Sequence, residues 1–196
     1  MPERRRACWL PTASRNARRR RTGLMPRAGS LAEPRVRLTA VLARALARAS
    51  PRPATWLSAS AVGYYGDTGD AWVDESSAPG RGFLADTALA WEGATRAAMD
   101  AGVRVVPLRF GVVMGRGGML AKLRLPFLLG AGGRIGSGRQ WLSWIALADA
   151  VGIVRRCLTD AAIAGPVNVV SPHPVTNAEF TAVFARALHR PAIVPV

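Results

Sequence analysis

Apolar residues first settle into a regular pattern at Val36. From there to Ala49, Leu38, Leu42, Ala45, Leu46 and Ala49 recur at helical spacing, with Arg37, Arg44 and Arg48 off that face, which predicts an amphipathic helix. Ser50-Pro51-Arg52-Pro53 ends it, because proline cannot continue a helical ladder. A short apolar run, Ala54–Leu57, predicts a strand, and Ser58–Asp67 (Ser-Ala-Ser-Ala-Val-Gly-Tyr-Tyr-Gly-Asp) reads as the loop leaving it. Gly66–Gly82 is rich in Gly, Asp, Ser and Pro and predicts a long loop. A second helix is predicted from Phe83 or Leu84 to Asp100, with Gly102 placed to cap it. Val103–Phe110 is almost wholly apolar, as a strand buried on both faces should be.

The pattern then repeats. Met119–Leu129 is an apolar helical piece inside the glycine-rich stretch Gly117–Gly138, and Leu147–Leu158 predicts another amphipathic helix. Val167–Val170 reads as a strand, and Thr176-Asn177-Ala178-Glu179 as a capping box opening a helix with Phe180, Val183, Phe184 and Leu188 on one face. Helix, strand and loop in alternation predict an α/β fold with a parallel sheet and flanking helices. In such sheets ligands sit outside the carboxyl ends of the strands. Ser58, Ser60, Tyr64 and Tyr65 are therefore the first candidate site residues.

Charge changes the picture mainly at the start of the chain. The net charge of +15 over 196 residues is concentrated there: residues 1–34 hold nine Arg against two Glu, without periodicity. Such a segment buries too little apolar surface to offset the entropy of ordering it. It is expected to lie outside the folded domain of residues 35–196, and a reading as a stretch foreign to that domain stays open. Binding of nucleic acid through the clustered Arg is the sharper alternative, but no recognition motif follows, and nucleic acid is not the expected partner. Lys122 is the only lysine among 27 basic residues, a bias in usage that argues against reading each Arg as a phosphate ligand.

Cys8 and Cys157 have no metal-ligand spacing, and Cys157 reads as a packed thiol. Asp67, Asp74 and Glu75 form no metal-binding pattern, and no Ser-His-Asp or Cys-His arrangement is visible. No apolar run approaches the ~18 residues of a membrane span, so no membrane partner is expected and the cytoplasm is the default location.

From Arg35 onward the order of motifs resembles one family. It is carried by Ser58–Asp67, by Gly82-Phe83-Leu84-Ala85 with Trp91-Glu92, and by Leu108–Val113 leading to Gly117-Gly118. Gly136–Ile145, Gly165-Pro166-Val167-Asn168 and Pro174–Phe180 complete the match. These blocks are similar to the atypical extended short-chain dehydrogenase/reductases called the epimerase family, which are NAD-dependent epimerase/dehydratase-like proteins. The resemblance implies a Rossmann-like fold, NADP(H) or NAD(H) as cofactor, and a small or sugar-like substrate. It implies that Ser60 is the active-site serine, against the plainer reading of a turn serine. Tyr64 and Tyr65 are candidates to replace the acid that the chain lacks, with ring packing at the sheet edge the slightly favoured alternative. Ser58, Ala59, Arg109, Gly111, Val112 and Val113 would lie beside the cofactor. Arg139, with Gln140 and Trp141, would meet the substrate, although a solvated loop is an equal reading of Arg139.

The chain also departs from the pattern. The Gly-x-x-Gly-x-x-Gly turn that brings backbone close to a pyrophosphate at a helix N-terminus has no counterpart. The expectation is therefore a partial sheet lacking the first βαβ unit, a central portion of the family's chain that holds a dinucleotide poorly by itself. The superfamily's Tyr-x-x-x-Lys pair falls in register with Phe83/Leu84 and Thr87/Ala88, which removes the usual proton donor. Ala146 and Ala148 stand where a His and a carboxylate are expected. A non-catalytic binding protein on the same fold is the alternative these departures raise.

Overall fold

The computed structural model describes residues 28–192, with side chains from residue 32 onward. Cys8 and the arginine clusters at 4–6 and 18–21 lie outside the described residues.

Three parallel strands make the main sheet, in the order β1–β2–β6. β1 is Thr55–Ala61, β2 Arg104–Phe110 and β6 Val167–Val169. β2 is central, and its burial on both faces follows from its all but continuous apolar sequence. Its side chains alternate between two cores. Val106 and Leu108 pack with Ile145, Ala150, Cys157 and Val169, the core beneath α5 (Leu147–Thr159). Val103 and Val105 pack with Ala43 and Ala98, against α1 (Ala28–Arg48) and α3 (Arg96–Asp100). The fold is thus α/β, with a parallel sheet between helices.

Two small sheets extend it. β3 (Val112–Met114) pairs in parallel with β5 (Trp144–Ala146), and β4 (Trp141–Leu142) pairs antiparallel with β7 (Val175–Thr176). α4 (Gly118–Leu128) and α6 (Asn177–Ala187) meet through an edge-to-face pair of Phe127 and Phe184, centroids 4.9 Å apart. The capping box at Thr176 forms as expected, with Glu179 N–H donating to the Thr176 hydroxyl and Thr176 N–H to the Glu179 carboxylate.

Four sequence expectations change. The helix predicted from Val36 begins at Ala28 and takes in Pro34. Its expected apolar face turns inward only in part: Leu46 packs on the core, but Leu38 is 65% exposed and Leu42 45%, whereas Ala43 is fully buried. The small Ala43 permits close approach to the neighbouring helices, and the inward stripe turns toward Thr39, Ala43 and Leu46. Ser58 and Ser60 do not sit in a loop. They are strand residues, because β1 runs on to Ala61 in register with β2. The helix predicted over residues 83–100 breaks into α2 (Phe83–Gly93) and α3 after Gly93. There the Thr95 hydroxyl and N–H both turn back to the Glu92 carbonyl, a local bond that competes with the helical ladder.

Candidate active site

The carboxyl end of β1 runs into a short 3-10 turn, Val62–Tyr65, and the loop after it folds back so that Gly80 N–H donates to the Tyr64 carbonyl at 2.9 Å. A Cβ on Gly80 would stand 2.1 Å from the Tyr65 carbonyl oxygen, so only glycine fits the return. The loop thereby presses the two tyrosines onto the sheet.

Sheet register then assembles a polar row. Ser60 pairs with Arg109 on β2, and Arg109 pairs with Asn168 on β6. Because side chains alternate along parallel strands in register, the three point to the same face, beneath α2. All are buried: Ser60 is 3% exposed, Arg109 3% and Asn168 2%. α2 supplies the counter-charge. Arg109 Nε and Nη2 donate to the two Glu92 carboxylate oxygens, each at 2.9 Å, and the Ser60 hydroxyl donates to Oε1 at 2.6 Å. Arg109 Nη1 donates to the Tyr65 hydroxyl at 2.9 Å, and that hydroxyl donates to Asn168 Oδ1 at 2.7 Å. The guanidinium also lies over the Tyr64 ring, 3.5 Å from its centroid. Glu75 closes the network by accepting from Asn168 N–H at 2.8 Å.

This arrangement sets the chemistry of Tyr65. Burial pushes its phenol above the ordinary value of 10, while the hydrogen bond and charge of Arg109 pull the other way. For Arg109, burial alone would lower the pKa. The bonds to Glu92 and Tyr65 outweigh it, and the guanidinium is held firmly protonated. Tyr65 is therefore a neutral phenol across the physiological range, with its proton committed to Asn168.

The open part of the site lies beside this row. A cavity of about 380 Å³ opens where the ends of β1 and β2 meet α2. Ala61, Val62 and Gly63 form one wall, Phe110, Gly111 and Val112 another, and Phe83, Leu84, Thr87 and Ala88 the third. Trp91, Arg35, Leu142 and Ser143 complete it. The register of the missing Tyr-x-x-x-Lys pair thus faces the cavity, with Phe83 and Thr87 on its wall. The Thr87 hydroxyl donates to the Phe83 carbonyl at 2.6 Å, which leaves its lone pairs to accept from a ligand. Gly111 is required by packing: a Cβ there would lie 2.6 Å from the Ser143 carbonyl oxygen.

The residues singled out from sequence therefore divide. Gly111 and Val112 line the cavity. Ser60, Tyr65 and Arg109 come together, but inside the buried network beside it, with Tyr64 packed on Arg109. Ser58 is buried in β1, Ala59 is exposed on it, and Val113 packs into the core beneath α5. Arg139, Gln140 and Trp141 lie apart from the cavity lining. Gln140 donates to the Ile135 carbonyl, and Trp141 Nε1 to Asp70 at 2.6 Å. Sequence reading gave no role to Glu92, Asn168, Glu75, Arg35 or Ser143. For Glu92 a signal existed: an arginine inside an otherwise apolar buried strand demands a carboxylate nearby. Among the described residues no cluster of His, Cys, Asp or Glu could hold a metal, and no helix is long and apolar enough to cross a membrane.

Similarity to known proteins agrees with the fold. No family profile matches the chain. The chain is 50% identical over 163 residues to the epimerase family protein Mb2239 of Mycobacterium bovis, and 39% identical to the epimerase family protein YfhF of Bacillus subtilis. The chain belongs to the epimerase family. The match takes in 83% of the chain and 54% of either relative, so the chain spans about half the length of these family members. In three dimensions, the human epimerase family protein SDR39U1, solved with NADPH, superposes with a TM-score of 0.80 at 37% identity, over 86% of this chain and 58% of that one. A nucleoside-diphosphate sugar epimerase from Corynebacterium glutamicum gives a TM-score of 0.74 at 42% identity, over 85% and 38%. The epimerase family fold thus accounts for the parallel sheet with helices on both faces.

Proposed function

We propose that the chain contributes the reaction end of a nicotinamide-dependent, epimerase/dehydratase-like oxidoreductase, with the cavity at the ends of β1 and β2 receiving the nicotinamide end of the cofactor and part of a small substrate. One observation carries the reading: an apolar cavity at the carboxyl ends of parallel strands, the place where this sheet architecture binds ligands, in a chain similar to a human relative solved with NADPH.

The residues present fit a nicotinamide. The cavity is large enough for a planar ring and is mostly apolar. The lack of a side chain at Gly63 keeps the wall beside the β1 end open. When bound, a nicotinamide supplies a hydride donor or acceptor. Phe83, Leu84 and Phe110 exclude water from the reacting atoms. Thr87 accepts a hydrogen bond from a substrate hydroxyl. Arg109 and Glu92 touch no reacting atom and act as positioning residues, because they tie α2 to the sheet and so set the width of the cavity.

The test is nuclear magnetic resonance of the chain with millimolar NADPH and NADH. Shifts should cluster at Ala61–Gly63, Phe83–Thr87 and Gly111–Val112, and Thr87→Trp should abolish them by filling the cavity. Shifts elsewhere, or none, refute the reading. A second reading, binding without turnover, is favoured by one feature: Phe83 and Thr87 stand on the wall where the superfamily's proton donor pair falls. Oxidation of NADPH by a carbonyl compound that ceases in Thr87→Val would exclude it.

A further inference from the structure

The cavity has one charged side chain among its described lining residues, and it is held in place. Arg35 lies on α1 one turn before Thr39, and both meet Trp91. Trp91 Nε1 donates to the Thr39 hydroxyl at 2.8 Å, which fixes the indole against α1. The Arg35 guanidinium sits 5.7 Å from the centroid of that indole, within cation–π range. Arg35 and Trp91 both line the cavity. The rest of the wall is carbon-rich: Phe83, Leu84, Phe110, Val112 and Leu142 face it, and its hydroxyls are those of Thr87 and Ser143. The Thr87 hydroxyl has already given its proton to a carbonyl. A polyhydroxylated sugar entering here would leave several hydroxyls without partners, at a cost of roughly 1–3 kcal/mol for each group desolvated and unpaired. A flat apolar body would match the wall.

We propose that this cavity takes a small ligand with an apolar, planar body and a single carboxylate, the carboxylate pairing with Arg35 beside Trp91. The assignment rests on the cavity being the ligand site and gives the substrate class of that site. It distinguishes this cavity from one built to read the hydroxyls of a nucleoside-diphosphate sugar. Arg is suited to the role, because its planar fork can pair with a carboxylate while its face stays against an indole.

The test uses the whole chain and three probes: 2-naphthoate, its neutral isostere 2-naphthamide, and UDP-glucose, each titrated by calorimetry and followed by nuclear magnetic resonance. Naphthoate should bind about fivefold more tightly than naphthamide, the factor expected of a partly exposed ion pair. Arg35→Ala should equalise the two, Arg35→Lys should restore part of the preference, and UDP-glucose should bind more weakly than naphthoate. Shifts at Trp91 and Leu84 locate the binding. Equal binding of acid and amide by the unaltered chain overturns the proposal. So does a preference that survives Arg35→Ala, or tighter binding of UDP-glucose. Loss of the acid preference with the NADPH shifts intact removes the anion assignment alone, whereas absence of both removes the cavity as a site. Arg35 is exposed, so its substitution leaves the core packing in place, and circular dichroism checks this.

Discussion

Glu92→Ala is the perturbation the structure makes most consequential. The Glu92 carboxylate accepts from Arg109 Nε and Nη2 and from Ser60 Oγ, and the pair is nearly sealed, Arg109 at 3% exposure and Glu92 at 13%. Without Glu92 the guanidinium keeps two hydrogen-bond acceptors, the Tyr65 hydroxyl at 2.9 Å and the Glu75 carbonyl at a long 3.4 Å, and its stack on the Tyr64 ring, but no counter-charge. A buried charge stripped of its partner costs about 3–5 kcal/mol. At about 2–4 °C per kcal/mol for a chain of this size, the melting temperature should fall by roughly 6–20 °C. Thermal and urea unfolding followed by circular dichroism read this directly. The contrast is Asp100→Ala, which breaks the exposed Arg96–Asp100 pair, 76% and 60% exposed, and should cost about 0.5 kcal/mol or less. Glu92→Met combined with Arg109→Met should recover most of the loss, because replacing both partners removes the uncompensated charge. A Glu92→Ala loss no larger than that of Asp100→Ala, or a double variant less stable than the single one, would refute the buried-charge role of Glu92.

Three further outcomes follow from the same geometry. Burial raises the Tyr65 phenol above 10 and the Cys157 thiol above 9. The native state therefore keeps protons that the unfolded chain gives up, and these two groups should leave stability unchanged near pH 7 and lower it as pH rises through 9 and then 10. Urea midpoints from pH 7 to 11 check this, and a rise over that range would contradict it. Thr176→Ala removes the cap that opens α6 and should cost about 0.5–2 kcal/mol, while Thr176→Ser should cost little; equal losses in the two variants would deny the cap its role. Gly111→Ala places a Cβ 2.6 Å from the Ser143 carbonyl oxygen and 2.9 Å from Val170 Cγ1. It should destabilise by about 1–3 kcal/mol and shift the resonances of the cavity wall, and a neutral result would show that this contact relaxes freely.

The candidate site was only half legible in the sequence. The stretch Ser58–Asp67 pointed to the strand end beside which the cavity opens, and Gly111 and Val112 line that cavity. Ser60 and Tyr65 read as site residues at the end of one strand and Arg109 as a cofactor neighbour on the next, but whether a polar side chain faces a cavity or a carboxylate depends on what packs above it. Here that is Glu92 of α2.

Local pattern is enough to give the order and type of the main helices and of the three strands of the large sheet, but not the short strands β3, β4, β5 and β7. The mostly apolar run of β2, broken by Arg104 and Arg109, the glycine caps and the Thr176–Glu179 box are local signals, and local hydrogen bonding and periodicity act within a few residues. Which faces meet is set instead by packing between elements far apart in the chain. Leu38 and Leu42 look like a core stripe, yet they are exposed because Ala43 lets α1 approach its neighbours one stripe further round. The row Ser60–Arg109–Asn168 exists because two parallel pairings fix its register. Residues on three separate strands carry no local mark of sharing a row. That register comes from packing across the whole sheet, and the buried charge network and the cavity beside it come with it.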